Sequence, residues 1–423
     1  MPRIFKFGGI LLKNAEGLRK MASLVSEFQC EPLVVVVSAI GKTTNALEEL
    51  QRIAAAKDEQ RLQQHYFALK HQHMELIQSL ELSNESQLME QVEKEFRNLW
   101  DALNQEYEDP YLAYDQIVSF GERFSTRIVS AVLKEAAVPV HFIDATQVIF
   151  TDNRHTQAAI NWPMTEKTIQ ARVVPVLENH QTVVIQGFVG ACEHGNSTTL
   201  GREGSDFTAA ILAYVLEADE VCIWKDVPGL MNSDPKLFSD AVKLPHVSYN
   251  EAIELAFYGA SVIHPRTIQP LKKKGILLKV CSFFDPASEP TRINSDESDD
   301  NTIPKIIVKK NQTLLSISSR DLSFMAEEKL MKVFQVLSQN RLHINLMQNS
   351  AVSFSVIFDT QEHKRDQVIE ELKEHFVLKY NTGLELITIR HYNDAVLEKL
   401  SRGKNIFLTQ KTRSTIQLLL STE

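Results

Sequence analysis

Apolar runs alternate with amphipathic stretches along the first two thirds of the chain. Ile4 to Phe7 reads as a strand, and after Gly8-Gly9 the apolar positions Leu18, Met21, Ala22, Val25 and Phe28 fall on one helix face. Leu33-Val-Val-Val-Val37 is continuously apolar, the pattern of a parallel strand buried on both faces. Ala46 to about Leu103 is rich in Gln, Glu and Lys and reads as long helices, an insertion at about 46–104 between two chemical motifs. Strands are then expected at Val138 to Ile143, Val173 to Val176, Val183 to Gly187, Glu220 to Trp224 and Leu277 to Ser282. This alternation predicts an α/β fold, a mostly parallel sheet sandwiched by helices.

The pattern changes after Asn294-Ser-Asp-Glu-Ser-Asp-Asp-Asn301, which is acidic, lacks apolar periodicity and reads as a linker or exposed loop. Beyond it come a strand (Gln312 to Ser318), a helix (Glu328 to Gln339), two strands (Ile344 to Gln348, Val352 to Asp359), a helix (Arg365 to His375) and a strand (Phe376 to Tyr380). That order, β-α-β-β-α-β, is ferredoxin-like. A second copy starts at Leu386 to Arg390, continues through Ala395 to Leu400, Asn405 to Gln410 and Thr415 to Leu420, and stops without a closing helix and strand. Three units are expected: 1–293, 307–382 and a shortened 383–423.

Composition narrows the function classes. A chain of 423 residues exceeds one core. A net charge of −9 argues against a nucleic-acid binder or a membrane-surface protein, although it leaves room for a local basic pocket. The longest apolar run, Leu33 to Ile40, is too short to span a bilayer. Cys30, Cys192, Cys222 and Cys281 are far apart, with no CxxC, and read as reduced cysteines of a cytoplasmic protein. The chain enters its first strand at once, and no signal peptide is expected.

Four glycine- or hydroxyl-rich loops each follow a strand: Lys6-Phe-Gly-Gly9, Ser38 to Asn45, Thr199-Leu-Gly-Arg-Glu-Gly-Ser-Asp206 and Asp226-Val-Pro-Gly229. In the third, small residues let main-chain N–H groups approach an anion and Arg202 can fork onto a carboxylate or phosphate. Gly41-Lys-Thr-Thr44 suggests a P-loop, but that motif needs glycine where Val36 stands in mid-strand. His65, His71 and His73 share one helix without i, i+4 spacing and read as a solvated face, while His264 before Pro265 reads as a structural hydrogen-bonding residue.

Lys6 to Gly9, Ser38 to Asn45, Ser119-Phe-Gly-Glu122, Thr199 to Asp206, Asp226 to Pro235 and Gly259-Ala-Ser-Val-Ile-His-Pro265 together resemble the aspartate kinases of the amino acid kinase family, in the family's order. The tail resembles their paired ACT regulatory domains. The resemblance implies the amino acid kinase fold with ACT-type domains, the second truncated. It implies transfer from ATP, with Mg²⁺, to the β-carboxylate of L-aspartate, giving 4-phospho-L-aspartate, the first step towards lysine, threonine and methionine. An ionised carboxylate needs no general base, so positioning and charge stabilisation carry such catalysis. Mg²⁺ would be held largely by phosphates and water, with no metal-ligating residues from the chain.

The implied roles follow by position. Lys6 and Asp206 are catalytic, Lys6 neutralising the transferring phosphoryl group and Asp206 organising lysine and phosphate. Ser38, Thr44, Glu122, Arg202, Gly204 and Ser205 bind aspartate, with Arg202 on a carboxylate and Glu122 on the α-ammonium. Lys6, Gly8, Gly9, Lys225, Asp226, Met231, Asp234, Lys236 and Ser261 hold ATP. A homodimer through the ACT-like tail is implied.

The chain departs from the family at four places. Ile10 and Leu11 stand where Thr or Ala and then Ser are usual, Glu203 where Gly is common, and Ser261 where Lys is expected; Lys225, where Thr is common, can restore that charge. In the tail, Ser318 to Phe334 lacks a glycine, and Asn345 and Ala351 replace two acidic effector-binding positions, so lysine inhibition is expected to be weak or absent. Two alternatives stay open: a family member acting on a different carboxylate, and a degenerate homologue with a regulatory or scaffolding role.

Overall fold

The computed structural model describes residues 1–260, 263–321 and 323–421. The chain divides into two compact units that do not follow sequence order. Met1–Leu230, Lys243–Ile253 and Ser261–Glu297 form the first, and Met231–Val242, Glu254–Ala260 and Ser298–Glu423 the second.

An eight-stranded sheet organises the first unit, in the order Val140–Ile143, Thr182–Gln186, Leu33–Val37, Arg3–Phe7, Glu220–Lys225, Leu277–Ser282, Thr291–Asn294, His246–Ser248. The first six strands pair in parallel, and only the Leu277–Ser282 and Thr291–Asn294 pair is antiparallel. All five residues of Leu33–Val37 are buried, as a strand with apolar side chains on both faces requires. Register puts Phe7 opposite Val37 and Trp224, and Val37 opposite Gln186. The loops after these four strands therefore leave from one sheet edge, the edge at which open α/β sheets bind ligands.

The 46–104 stretch forms the helices Thr43–Ala55, Glu59–Leu80 and Glu85–Asn104. Leu88, Val92, Phe96, Leu99 and Leu103 line the buried face of the third. Phe96 stacks on Phe124 of helix Phe120–Glu135, with centroids 4.2 Å apart, so the insertion belongs to the unit's main core.

Two expectations are corrected here. Val173 to Val176 is not a strand: Val174–Glu178 is a helix with Pro175 in its first turn. Proline needs no N–H there and brings its φ pre-set, and a four-residue apolar run does not distinguish strand from helix. His73 is not on a solvated face. It extends the stripe Leu62, Tyr66, Leu69, His73, Ile77, Leu80 and is buried, while His71 is exposed. Its Nδ1 meets the Leu69 carbonyl at 2.9 Å, and burial pushes its pKa below the usual histidine value.

The second unit contains a six-stranded antiparallel sheet, in the order Ile344–Asn349, Ser353–Asp359, Lys305–Ser319, Phe376–Arg390, Thr415–Leu420, Ile406–Lys411. The helices Glu327–Gln339, Glu362–Leu372 and Asp394–Ser401 accompany it. The two central strands are each 15 residues long and run through both ferredoxin-like halves. Pairing shifts between Lys309 and Leu314, where Asn311 takes a positive φ of 52°. The second ferredoxin-like half takes its fourth strand from upstream, since Lys305–Lys309 pairs with Leu386–Arg390.

Segments from the middle of the chain complete this unit. Asn232 accepts from Ile306 N through its carbonyl at 2.7 Å and donates from Nδ2 to the Pro304 carbonyl at 3.1 Å. Asp240 pairs with Lys399 at 2.7 Å, and Glu254 with Arg390 at 3.0 Å. No helix among the described residues is long and apolar enough to cross a membrane. The four cysteines form no disulfide; Cys30 is exposed and the others are buried.

Candidate active site

Lys6 sits one residue before the end of the strand Arg3–Phe7, flanked by Val36 and Ile223. A lysine there is buried among apolar strands and needs a counter-charge. Asp206 supplies it from the first turn of helix Gly204–Leu216: Oδ1 lies 2.6 Å from Lys6 Nζ, with Lys6 9% and Asp206 2% exposed. Lys225, the last residue of Glu220–Lys225, brings its Nζ to 3.9 Å from Asp206 Oδ2. One carboxylate is thus shared between two ammonium groups where the strands end.

The loops that frame this charge are packed backbone against backbone. A Cβ on Gly9 would lie 1.8 Å from the Ala39 carbonyl oxygen, and Gly41 N donates to the Gly9 carbonyl at 2.8 Å. Only glycine allows the Lys6–Gly9 and Ser38–Asn45 loops to touch this closely. Gly8 differs, because the nearest atom to its Cβ would be Lys6 Nζ, 3.9 Å away.

Glu122 enters from the first turn of helix Phe120–Glu135 and is 3% exposed. Its Oε1 accepts from Ala39 N at 3.3 Å, and its Oε2 is buried with no hydrogen-bond partner. Burial pushes its pKa up to about 8, opposed by the Ala39 hydrogen bond and the charge of Lys6. An unsatisfied buried carboxylate oxygen is a site awaiting a donor.

These groups face a cleft of about 480 Å³ that brings together Lys6, Ser38, Thr44, Glu122, Arg202, Gly204, Ser205, Asp206 and Lys225 of the expected set. Arg202 is exposed on its wall. Gly8 and Gly9 lie in the adjoining loop, and Asp226 is exposed just beyond Lys225. Met231, Asp234 and Lys236 belong to the second unit, where the Asp234 carboxylate accepts from Lys236 N at 2.9 Å in a turn. Ser261 lies outside the described residues.

Glu203 takes a left-handed backbone, φ 53°, as it caps helix Gly204–Leu216. Its carboxyl lines the cleft, and Oε2 is buried without a partner. Burial pushes its pKa up, with Lys225 pulling it down most strongly and Asp206 adding to the rise. His264 caps helix Pro265–Lys274, its Nδ1 accepting from Arg266 N at 3.2 Å, as a structural histidine should. Among the described residues no group of three or more His, Cys, Asp or Glu side chains is placed to hold a metal ion.

Sequence reasoning missed Tyr114, Thr156, Gln157 and Phe188, which complete the cleft wall. Tyr114 donates to Glu48 Oε1 at 2.8 Å, and Thr156 has a positive φ of 71°. Tyr114, Thr156 and Gln157 lie in no glycine-rich motif, whereas Phe188 sits in Gly187-Phe-Val-Gly190 directly after an expected strand, a signal for a loop at the sheet edge.

The sequence profile of the amino acid kinase family matches residues 1–282. The chain is 28% identical to Aspartokinase 1, chloroplastic, of Arabidopsis thaliana over 443 residues, 98% of this chain and 76% of that one. Its structure is similar to E. coli aspartokinase III in complex with lysine and aspartate (T-state), with a TM-score of 0.83, 25% identity, and coverage of 99% of this chain and 96% of that one. It is also similar to the same enzyme in complex with aspartate and ADP (R-state), with a TM-score of 0.81, 26% identity, and coverage of 100% and 96%.

Proposed function

The chain belongs to the amino acid kinase family, and we propose that it is an ATP-dependent aspartate kinase. A β-carboxylate oxygen of L-aspartate attacks the γ-phosphorus of ATP, the bond from that phosphorus to the β–γ bridging oxygen breaks, and 4-phospho-L-aspartate and ADP leave. The observation that carries this reading is the pairing, in one cleft, of a doubly cation-bound Asp206 with a buried, partnerless oxygen of Glu122. The first suits a transferring phosphoryl group, the second an ammonium.

Roles follow from charge and position. Lys6, held by Asp206, stabilises charge on the phosphoryl oxygens, and Lys225 extends the positive field towards the nucleotide. Glu122 receives the α-ammonium, while Arg202, with Ser205 and Thr44, meets a carboxylate. The attacking carboxylate is already ionised, so no residue has to remove a proton.

The donor set fits Mg²⁺ as part of a metal–nucleotide complex, because the carboxylates facing the cleft are few and Asp206 is already paired with two lysines. Mg²⁺, when bound, neutralises phosphate charge. We assign catalysis to 1–293, regulation to the ACT-like 307–382 and 383–423, and a cytoplasmic setting to the whole. We also propose a homodimer through the tail, supported by Phe324, Met331 and Met347, which are large, apolar and exposed.

The decisive assay traps the acyl phosphate with hydroxylamine in the presence of ATP and Mg²⁺. Aspartyl hydroxamate from L-aspartate is expected. Product only from a different acid, or from none, would reject the reading.

A further inference from the structure

The loop that carries Arg202 is tied down by two charged side chains with no part in the proposed chemistry. Asp115, on helix Pro110–Val118, is 0% exposed. Its carboxylate accepts from Thr199 Oγ1 at 2.5 Å, from His155 Nδ1 at 2.9 Å, and from Thr156 N at 3.0 and 3.1 Å. Arg266, on helix Pro265–Lys274, donates from Nη1 to the Leu200 carbonyl at 2.8 Å and from Nη2 to the Ala158 carbonyl at 3.0 Å. Its guanidinium lies 4.8 Å over the Phe207 ring.

The two tied segments also bond each other, since Ala158 N donates to the Thr199 carbonyl at 3.0 Å. Both reach the cleft, through Thr156 and Gln157 on one side and Gly201 and Arg202 on the other. Left-handed backbone at a threonine costs about 1–2 kcal/mol; Thr156 keeps it where the Asp115 carboxylate holds its N–H.

We propose that Asp115 and Arg266 are positioning residues for the acidic substrate: they fix the backbone of 156–158 and 199–201, and so the point from which Arg202 meets a carboxylate. The inference rests on the assignment of this cleft to aspartate. Neither residue hydrogen-bonds Lys6 or Asp206, and Arg266 meets the helix of Asp206 at the Phe207 ring rather than at the Lys6–Asp206 pair. Loosening the loop should therefore lower the population competent to bind aspartate and leave phosphoryl transfer intact.

Two readouts test this. In the chain without substrate, amide hydrogen exchange over 199–205 should quicken in Arg266→Met and in the near-isosteric Thr199→Val, with Arg266→Lys intermediate. In steady-state kinetics the aspartate KM of Arg266→Met should rise about tenfold or more, while kcat and the ATP KM stay within about twofold. Unchanged exchange in both variants overturns the clamp, whatever the activity. Quicker exchange with an unchanged aspartate KM overturns the positioning role, as does a parallel loss of kcat and both affinities. A wild-type chain that leaves aspartate untouched would reject the site assignment, while exchange still judges the clamp.

Discussion

Lys6 and Asp206 form a buried ion pair, Nζ to Oδ1 at 2.6 Å, between the end of a central strand and the start of a helix. Breaking one half leaves the other charge buried and unpaired, which is more damaging than losing a surface contact. Lys6→Met and Asp206→Asn should each lower kcat by about 10²–10³-fold, the scale of a lost transition-state donor. Single-turnover measurement of ADP release would check it, and a kcat within about threefold of wild type would remove Lys6 and Asp206 from the chemical step.

Glu122 ties substrate affinity to pH. With its pKa near 8, the empty site holds a protonated carboxyl at neutral pH. An ammonium at Oε2 favours the ionised form, so aspartate binding should release a proton below about pH 8 and tighten as pH rises towards that value. Calorimetry in buffers of different ionisation enthalpy reads the proton directly. Glu122→Gln should abolish the release and weaken aspartate binding; release unchanged in that variant would assign the proton elsewhere.

Gly8 and Gly9 should separate stability from nucleotide binding. Gly9→Ala drives a Cβ to 1.8 Å from a backbone oxygen and forces two loops apart. A cost of about 1–3 kcal/mol is expected, visible as a lower Tm. Gly8→Ala meets no such obstacle and should keep its Tm while raising the ATP KM. The reverse pattern would show that the loops do not touch in this way.

Lys225 and Glu203 should behave as a coupled pair. Lys225→Thr leaves Glu203 and Asp206 with less opposing charge and should raise the ATP requirement sharply. Adding Glu203→Gly removes both a left-handed residue and a carboxylate, and should recover part of the loss. A coupling of about 0.5–3 kcal/mol is expected from the double-mutant cycle; strict additivity would make the two independent.

His73 makes the helical insertion acid-sensitive. Burial depresses its folded pKa, whereas the unfolded chain takes up a proton near the usual value of about 6.5. The native state then binds fewer protons below that pH, so stability is complete above it and falls as pH drops towards the folded pKa. Tm measured from pH 7 down to about 5 should fall less steeply in His73→Leu than in wild type. Equal slopes would place the titration elsewhere.

Periodicity and glycine chemistry carried much of this structure to the surface of the sequence. Leu33–Val37 is a buried strand because nothing in it is polar, and Leu277–Ser282 is a strand over the expected residues. Lys6, Arg202 and Asp206 stood out through their glycine-flanked loops. Other features depend on partners distant in the chain. His73 is buried because it lies on the one face that runs from Leu62 to Leu80, and Arg266 is placed by its helix against carbonyls more than 60 residues away in the chain. Tyr114 and Phe188 meet the cleft through packing between helix and loop, which one-dimensional spacing does not encode. The grouping of Met231–Val242 with the tail rests on Asn232 and Asp240, two ordinary polar residues of a turn-rich stretch.

The strand Lys305–Ser319 has a consequence for how the tail is made. Its first residues pair with Leu386–Arg390, while its later residues pair both with Ser353–Asp359 and with the earlier part of that same strand, Phe376 to Asn381. During synthesis the later residues can pair once Ser353–Asp359 emerges, but Lys305–Lys309 must wait for Leu386–Arg390. Such non-local pairing is slow and aggregation-prone. The amphipathic run Lys305-Ile-Ile-Val-Lys309 is thus a strand whose partner is synthesised some 80 residues after it.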